Sequence, residues 1–332
     1  MDVRRSRRGR LASIPPDHLL LMAREWVLSG FNRNTSVAHV TRALESAAAR
    51  GSEESGWLLD KLRSKGDIPE FGKYQLPKLR WFAEIMATED SPRAQFYRGR
   101  ALRWLGDGDS GLKLLWQSAE AGFAPAMSEL GVVVRDRADG IALIRKAAEL
   151  NDPDGLFLLA NRVKEGRFEL LCEAASRGHA DSTCRLAGDF SDRLSSVEVA
   201  TFGARFVLYS GNHVFVGPGI EDMVQRSRAG SLGANDVAVL YAAGRELEGY
   251  DQLWDAGRHP NEVLIRCVDI YLAVMHRARR AALQTVAGLR EIGLPRDVAV
   301  LIGRIVYETR TDAWAWWQEG ARAEEPATKK RK

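Results

Sequence analysis

Cysteine is scarce in this chain. Cys172, Cys184 and Cys267 are an odd number with no C-x-x-C or zinc-ligand spacing, which argues against a disulfide framework and a structural zinc and favours a reducing compartment. Long apolar runs are also missing: nothing approaches the roughly 18 consecutive apolar residues of a membrane-spanning helix. The opening "MDVRRSRRGRLASIPPDHLLLMA" has a basic start, but Pro15, Pro16, Asp17 and His18 interrupt any secretory apolar region. A cytoplasmic or nuclear protein with no membrane association is expected.

The motifs of common chemistry are equally sparse. No G-x-G-x-x-G follows a strand signal and no G-x-x-x-x-G-K-S/T occurs, so a nucleotide cofactor has no motif behind it. The histidines His18, His39, His179, His213, His259 and His276 are scattered, and none pairs with another at ligand spacing. "GDGDSG" at 106–111 alternates acid and glycine, but a calcium loop counted from Asp107 would need an acid at Ser118. The stretch reads as an inter-helix turn with Asp109 as N-cap. No catalytic, metal or cofactor residue is assigned, and the chain is not expected to be an enzyme.

Charge is unevenly placed. The net charge is +4, yet residues 1–10 hold five arginines against Asp2 and residues 321–332 hold five cations against Glu324 and Glu325, leaving the body at −3. A broad nucleic-acid face normally shows as a basic excess on the folded part, so nucleic acid is expected to be reached only through the tails. The terminal Lys329, Lys330, Arg331 and Lys332 resemble a short nuclear-import signal, or form a solvated end.

What the chain does have is repetition. "GLKLLWQSAEAG" (111–122), "GIALIRKAAELN" (140–151) and "RFELLCEAASRG" (167–178) align without gaps. Leu112, Leu115 and Ala119, with their counterparts Ile141, Ile144 and Ala148 and Phe168, Leu171 and Ala175, recur at the spacing of an amphipathic helix. Between these segments runs a second pattern: Ala94-x-x-x-Arg98-Gly99, Ala126-x-x-x-Leu130-Gly131, Gly155-x-x-x-Leu159-Ala160 and Ser182-x-x-x-Leu186-Ala187, starting 32, 29 and 27 residues apart. The unit is helix A, turn, helix B, turn. Small residues (Gly131, Ala160 and Ala187 on A; Ala119, Ala148 and Ala175 on B) permit close helix approach. Gly122, Asn151 and Gly178 stand where helix B should end in a left-handed cap.

From Ala94 to Phe190 this unit, "A-x-x-x-L-G-x-x-φ … K-A-A-E-x-G", resembles the Sel-one-like repeat, a relative of the tetratricopeptide repeat. Its copies are shorter than the family's usual unit, so the turn between helices A and B must be clipped. The resemblance implies an all-α solenoid of antiparallel helix pairs with helical N- and C-terminal caps. The expected layout is a basic disordered tail over 1–12, an N-terminal helical region with one degenerate repeat over 13–90 and a solenoid over 91–250. A C-terminal helical cap over 261–318 and a basic tail over 319–332 follow. Within this layout 205–216 reads either as a helix end plus loop or as a small hairpin. The run after Asn261 reads as one long amphipathic helix, or one broken near Arg277.

The family resembles adaptors that hold other proteins, which implies a protein-binding scaffold with unidentified protein partners. Helix A positions Ser128, Glu129, Arg162, Thr183 and Arg185 are the implied exposed contacts. Trp314 and Trp317 either dock on the C-terminal helices or anchor a partner. "SIPPDHLLLMAREWVLSG" (13–30) resembles the opening of an F-box through Pro15, Pro16, Asp17, Leu19 and Leu20, implying a ubiquitin-ligase substrate adaptor. Leu294-Pro295-x-Asp297 has the same pattern, and Pro followed by an acid is also a common helix start.

Overall fold

The computed structural model describes residues 14–28, 37–66, 68, 75–134, 136–210, 220, 223, 225–226, 232–247, 262–291, 295–296, 298–300 and 302. Among these the regular elements are helices, and the fold is all-α. Packing divides the chain into two compact units. One comprises Met1–Phe190 with Leu208–Asn212 and Gly249–Arg258; the other comprises Ser191–Val207, His213–Glu248 and His259–Lys332. The expectations placed on Trp314, Trp317, Lys329, Lys330, Arg331 and Lys332 fall outside the described residues.

The first unit runs through α1 (Pro16–Leu28), α2 (Val37–Ala48), α3 (Glu53–Arg63), α4 (Gln75–Met86), α5 (Pro92–Trp104) and α6 (Gly108–Glu120). It continues through α7 (Ala124–Val133), α8 (Arg137–Glu149), α9 (Pro153–Ala160), α10 (Arg167–Ser176) and α11 (Ala180–Asp189). Each helix packs on the next in chain order, except that the α3–α4 contact is slight, and α7 also meets α9. This is the neighbour-on-neighbour packing of a helical-repeat stack. A continuous apolar core threads it. Leu44, Leu58, Leu62, Phe82, Tyr97, Leu115 and Leu130 are at 2% exposure or less, and burying each such side chain contributes about 1.5–3 kcal/mol. Phe82 and Phe96 meet the Tyr97 ring edge-on, at 5.7 and 5.2 Å.

The joints between units explain the repeated endings of the sequence. Gly122, Asn151 and Gly178 have φ of 89°, 60° and 87°. At each, the residue following the cap donates its N–H five residues back: Phe123 to Ser118 O, Asp152 to Ala147 O and His179 to Ala174 O, at 3.0–3.1 Å. The cap residue itself donates to Ala119, Ala148 or Ala175 O at 2.9–3.0 Å. These are Schellman endings, which satisfy carbonyls that a helix C-terminus leaves open. Gly51 and Gly106 end α2 and α5 in the same way, at φ 91° and 94°. The chain then enters the next helix through an N-cap. Ser52, Ser91, Asp136 and Asp152 each accept a first-turn N–H. At 106–111 the N-cap is Asp107, whose carboxylate takes the Ser110 N–H, and Asp109 lies in the first turn instead. Gly106 already supplies the left-handed stop, so the helix begins directly after Asp107.

Helix pairs cross closest at glycines. A Cβ on Gly140 would stand 2.9 Å from Gly131 O, and one on Gly111 would stand 2.7 Å from Gly99 O. The spacing singled out Gly131 but not Gly111 and Gly140, which begin helix B rather than ending it.

The second unit holds most of α12 (Ser196–Ser210), with α13 (Ala234–Leu247) packed on α14 (Glu262–Glu291). α14 runs unbroken past Arg277, and α12 continues to Ser210, so 205–210 is helical and the rest of the alternative hairpin lies outside the described residues. A Cβ on Gly244 would collide with the Cys267 carbonyl. Burial there pushes the Cys267 thiol up to about 12, so it stays protonated. Among the described residues no helix is long and apolar enough to cross a membrane.

Candidate functional site

α1 brings distant joints together. Its Pro-Asp start and its apolar face of Leu19, Leu20 and Ala23, all at 7% exposure or less, seat it inside the first unit. Two polar side chains on it are also buried, His18 at 2% and Arg24 at 7%. Buried polar groups need partners, and theirs come from joints far along the chain.

The Arg24 guanidinium grips Glu54 of α3 through two hydrogen bonds of 2.8 Å from one terminal nitrogen, and its Nε donates to the Tyr97 hydroxyl of α5 at 3.2 Å. Tyr97 in turn donates to Glu54 at 2.8 Å. Burial opposes the Arg24 charge, but Glu54, Tyr97 and Asp152 together hold the guanidinium protonated well above its ordinary range. Burial, followed by the Glu54 charge, raises the Tyr97 hydroxyl in the same direction.

His18 contacts the joint after α10. Its Nδ1 lies 2.9 Å from Gly178 O; a carbonyl only accepts, so Nδ1 carries the proton. Nε2 is then a bare acceptor, buried without a hydrogen-bond partner among the described residues, and the ring stacks on Tyr209 at 3.8 Å. Burial lowers its pKa to about 4.

Asp152 and His179 tie adjacent repeats. Asp152 caps α9 by accepting the Gly155 N–H at 3.0 Å and accepts the Ser128 hydroxyl of α7 at 2.6 Å. Burial raises its carboxyl to about 6, helped by the charge of Asp154. His179 caps α11: its Nδ1 accepts the Ser182 N–H at 3.2 Å. Its proton therefore sits on Nε2, 3.3 Å from Asp154. Burial opposes the Asp154 charge, but the hydrogen bond and electrostatic interaction with His179, joined by Arg24 and Arg100, together hold its carboxyl below the ordinary range.

Between α1 and the joints lies a cleft of about 330 Å³. Asp17, Leu20, Leu21 and Arg24 form one wall; residues 52–54, 124–125 and 150–153, with Arg177, form the other. Leu150 at its edge is 55% exposed, and the Glu53 side chain is 87% exposed. A second cleft of about 350 Å³ opens between Trp57, Glu89 and residues 91–93 on one side and 121–123 on the other. Glu89 there is occupied by Lys61 and by the Trp57 indole N–H, and the Lys61 contact leads in lowering its pKa.

The sequence-derived contact residues are placed unevenly. Ser128 and Thr183 are at 2% and 0% exposure, which corrects the expectation that they lie on the surface. Their hydroxyls face inward, Ser128 to Asp152 and Thr183 to Ala180 O at 2.6 Å. Glu129 is half-buried and paired with Arg100 and Arg103. Arg162 and Arg185 are exposed; Arg162 donates to Leu158 O and Arg185 pairs with Asp189. Sequence reasoning missed Arg24, Glu54, Tyr97 and Asp152. The one available signal was the arginine on an otherwise apolar face of α1.

No family model and no curated protein matches this chain. Among solved structures it is similar to the crystal structure of a protective antigen present in uropathogenic Escherichia coli strains and displaying an SLR fold. The two share 14% identity at a TM-score of 0.37, over 88% of this chain and 69% of that one.

Proposed function

We propose that the chain is a protein-binding scaffold that receives a partner segment in the cleft between α1 and the repeat joints. The observation behind this reading is the cleft itself. Joints from four different repeats and α1 border one opening, with apolar surface at Leu21 and Leu150 and charge around it. An apolar patch rimmed by polar groups on a rigid scaffold is how protein-recognition surfaces are built. The charged side chains lining it are engaged in caps and ion pairs, which suits holding a ligand rather than transforming it.

Arg162 and Arg185 belong to the same reading as peripheral contacts. Ser128 and Thr183 serve it indirectly, by fixing the joints. Leu19 and Leu20, which carried the F-box resemblance, are buried within the repeats and offer no exposed surface.

The experiment is affinity co-purification from cells of the wild-type chain, Leu150→Asp and Arg162→Ala with Arg185→Ala. Leu150→Asp is expected to lose the co-purifying proteins, and the double arginine variant to lose part of them. Retention of every partner by both variants would contradict a scaffold working through this surface.

A further inference from the structure

We propose that the cleft beside α1 recognises a basic amphipathic segment of its partner, taking a lysine or arginine side chain against the joint carboxylates and a leucine-sized side chain against Leu150. This rests on the scaffold reading above and names the chemistry of its ligand.

Charge complementarity selects this occupant. Among the described residues four carboxylates line the cleft, Asp17, Glu53, Glu54 and Asp152, and two guanidiniums, Arg24 and Arg177, face them. Both guanidiniums are already engaged: Arg24 by Glu54 and Tyr97, Arg177 by Glu173 at 3.0 Å and Asp17 at 3.7 Å. Among the described residues Glu53 pairs with Arg93, at 3.7 Å, from an almost fully exposed position. Asp152 is buried with a cap N–H and the Ser128 hydroxyl as its hydrogen-bond donors. Among the described residues the cleft therefore holds more negative charge than its cations balance. An incoming cation gains from this and an incoming carboxylate is repelled, a difference expressed mainly as specificity and on-rate.

Shape and precedent agree. A volume of about 330 Å³ lies at the small end of the roughly 300–1,000 Å³ of ligand pockets, enough for one or two side chains. α1 shows how these joints hold a cation from an apolar helix, since Arg24 lies beside buried Leu20 and Ala23 and meets a carboxylate and a hydroxyl together. A partner helix with leucine and lysine on one face would present the same pair of groups, the usual logic of helix-in-groove recognition.

The test is fluorescence anisotropy with the full-length chain and three labelled helical peptides: one of leucine, lysine and alanine on an amphipathic pattern, one with glutamate for lysine, and one with serine for leucine. The lysine peptide is expected to bind roughly tenfold or more tightly than either counterpart, a gap equivalent to about 1.4 kcal/mol, and to weaken as salt rises. Glu53→Lys and Leu150→Asp each should lose about tenfold, and Lys113→Ala, exposed on α6 and outside the cleft lining, should leave binding unchanged. Both altered side chains are exposed, and the milder Glu53→Gln provides the same comparison should either charge change disturb folding. Equal binding of the lysine and glutamate peptides, or wild-type affinity in the cleft variants, would overturn the proposal. So would binding that appears only after residues 1–10 are removed, which would assign the cleft to the chain's own arginine-rich segment. If Leu150→Asp loses cellular partners while the lysine peptide does not bind, the scaffold reading survives and the basic-ligand claim fails.

Discussion

His18 and Gly178 lie 160 residues apart in the chain, and the His18 Nδ1–H donates to the Gly178 carbonyl at 2.9 Å. Gly178 meets two demands at once. Its φ of 87° suits the left-handed end of α10, and its missing side chain makes room for His18, whose Cβ a methyl group there would strike. Gly122 has nearly the same φ, 89°, with no atom of the described residues within 4 Å of where a Cβ would stand.

The two glycines therefore separate conformational cost from contact cost. Gly122→Ala is expected to destabilise by about 1 kcal/mol, the backbone penalty alone. Gly178→Ala should cost about 3 kcal/mol, because the displaced His18 also loses its buried hydrogen bond. Chemical denaturation of both variants measures this difference. Equal losses would show that the α1 contact with this joint contributes nothing.

Asn151 tests the joint without a packing complication, since its side chain is exposed. At φ 60° Asn151→Gly should be near neutral, whereas Asn151→Val places a β-branched residue in the left-handed region at a cost of about 1–2 kcal/mol. Thermal unfolding that ranks valine equal to glycine would contradict the cap assignment.

Arg24 and Glu54 form a buried pair. Arg24→Ala strands the carboxylate and should cost about 3–5 kcal/mol, while Arg24→Met combined with Glu54→Leu should recover most of that loss. A double-mutant cycle by denaturant unfolding is the measurement. Additive single losses would deny the coupling.

Two buried groups pull stability in opposite directions as pH falls. His18 has a folded pKa of about 4 against an ordinary 6.5, so the stability it contributes is present above 6.5 and lost as pH falls through 4. Asp152 has a folded pKa of about 6 against 3.8, so its contribution is present below 3.8 and lost as pH rises through 6. Each integrates to roughly 3 kcal/mol, and the windows overlap. Asp152→Asn should therefore be more acid-sensitive between pH 6 and 4 than the wild type, and His18→Gln less so. Unfolding curves across that range with parallel pH profiles for all three proteins would refute both assignments.

The sequence made some of this legible because certain positions impose a local requirement. A left-handed ending admits only Gly or Asn cheaply, so Gly122, Asn151 and Gly178 announced the joints, and the three- and four-residue spacing of Leu115, Ile144 and Leu171 announced helix B. The seating of α1 had no such local mark. Arg24 meets partners 30 and 73 residues away and His18 one 160 away, and nothing within a helical window records such pairings. Ser128 and Thr183 read as surface because hydroxyls usually are. Their hydrogen bonds to Asp152 and Ala180 let them be buried, and the spacing of helix A alone does not reveal a satisfied hydroxyl.

Hydrogen–deuterium exchange on the full-length chain, with and without the leucine–lysine peptide, addresses the central claim most directly. Protection is expected to rise over 17–24, 52–54, 124–125, 150–153 and 177, the segments that line the cleft, and to stay unchanged across α13 and the amides of α14. Protection gained on other helices, or at none of these segments despite measurable binding, would contradict a partner site between α1 and the repeat joints.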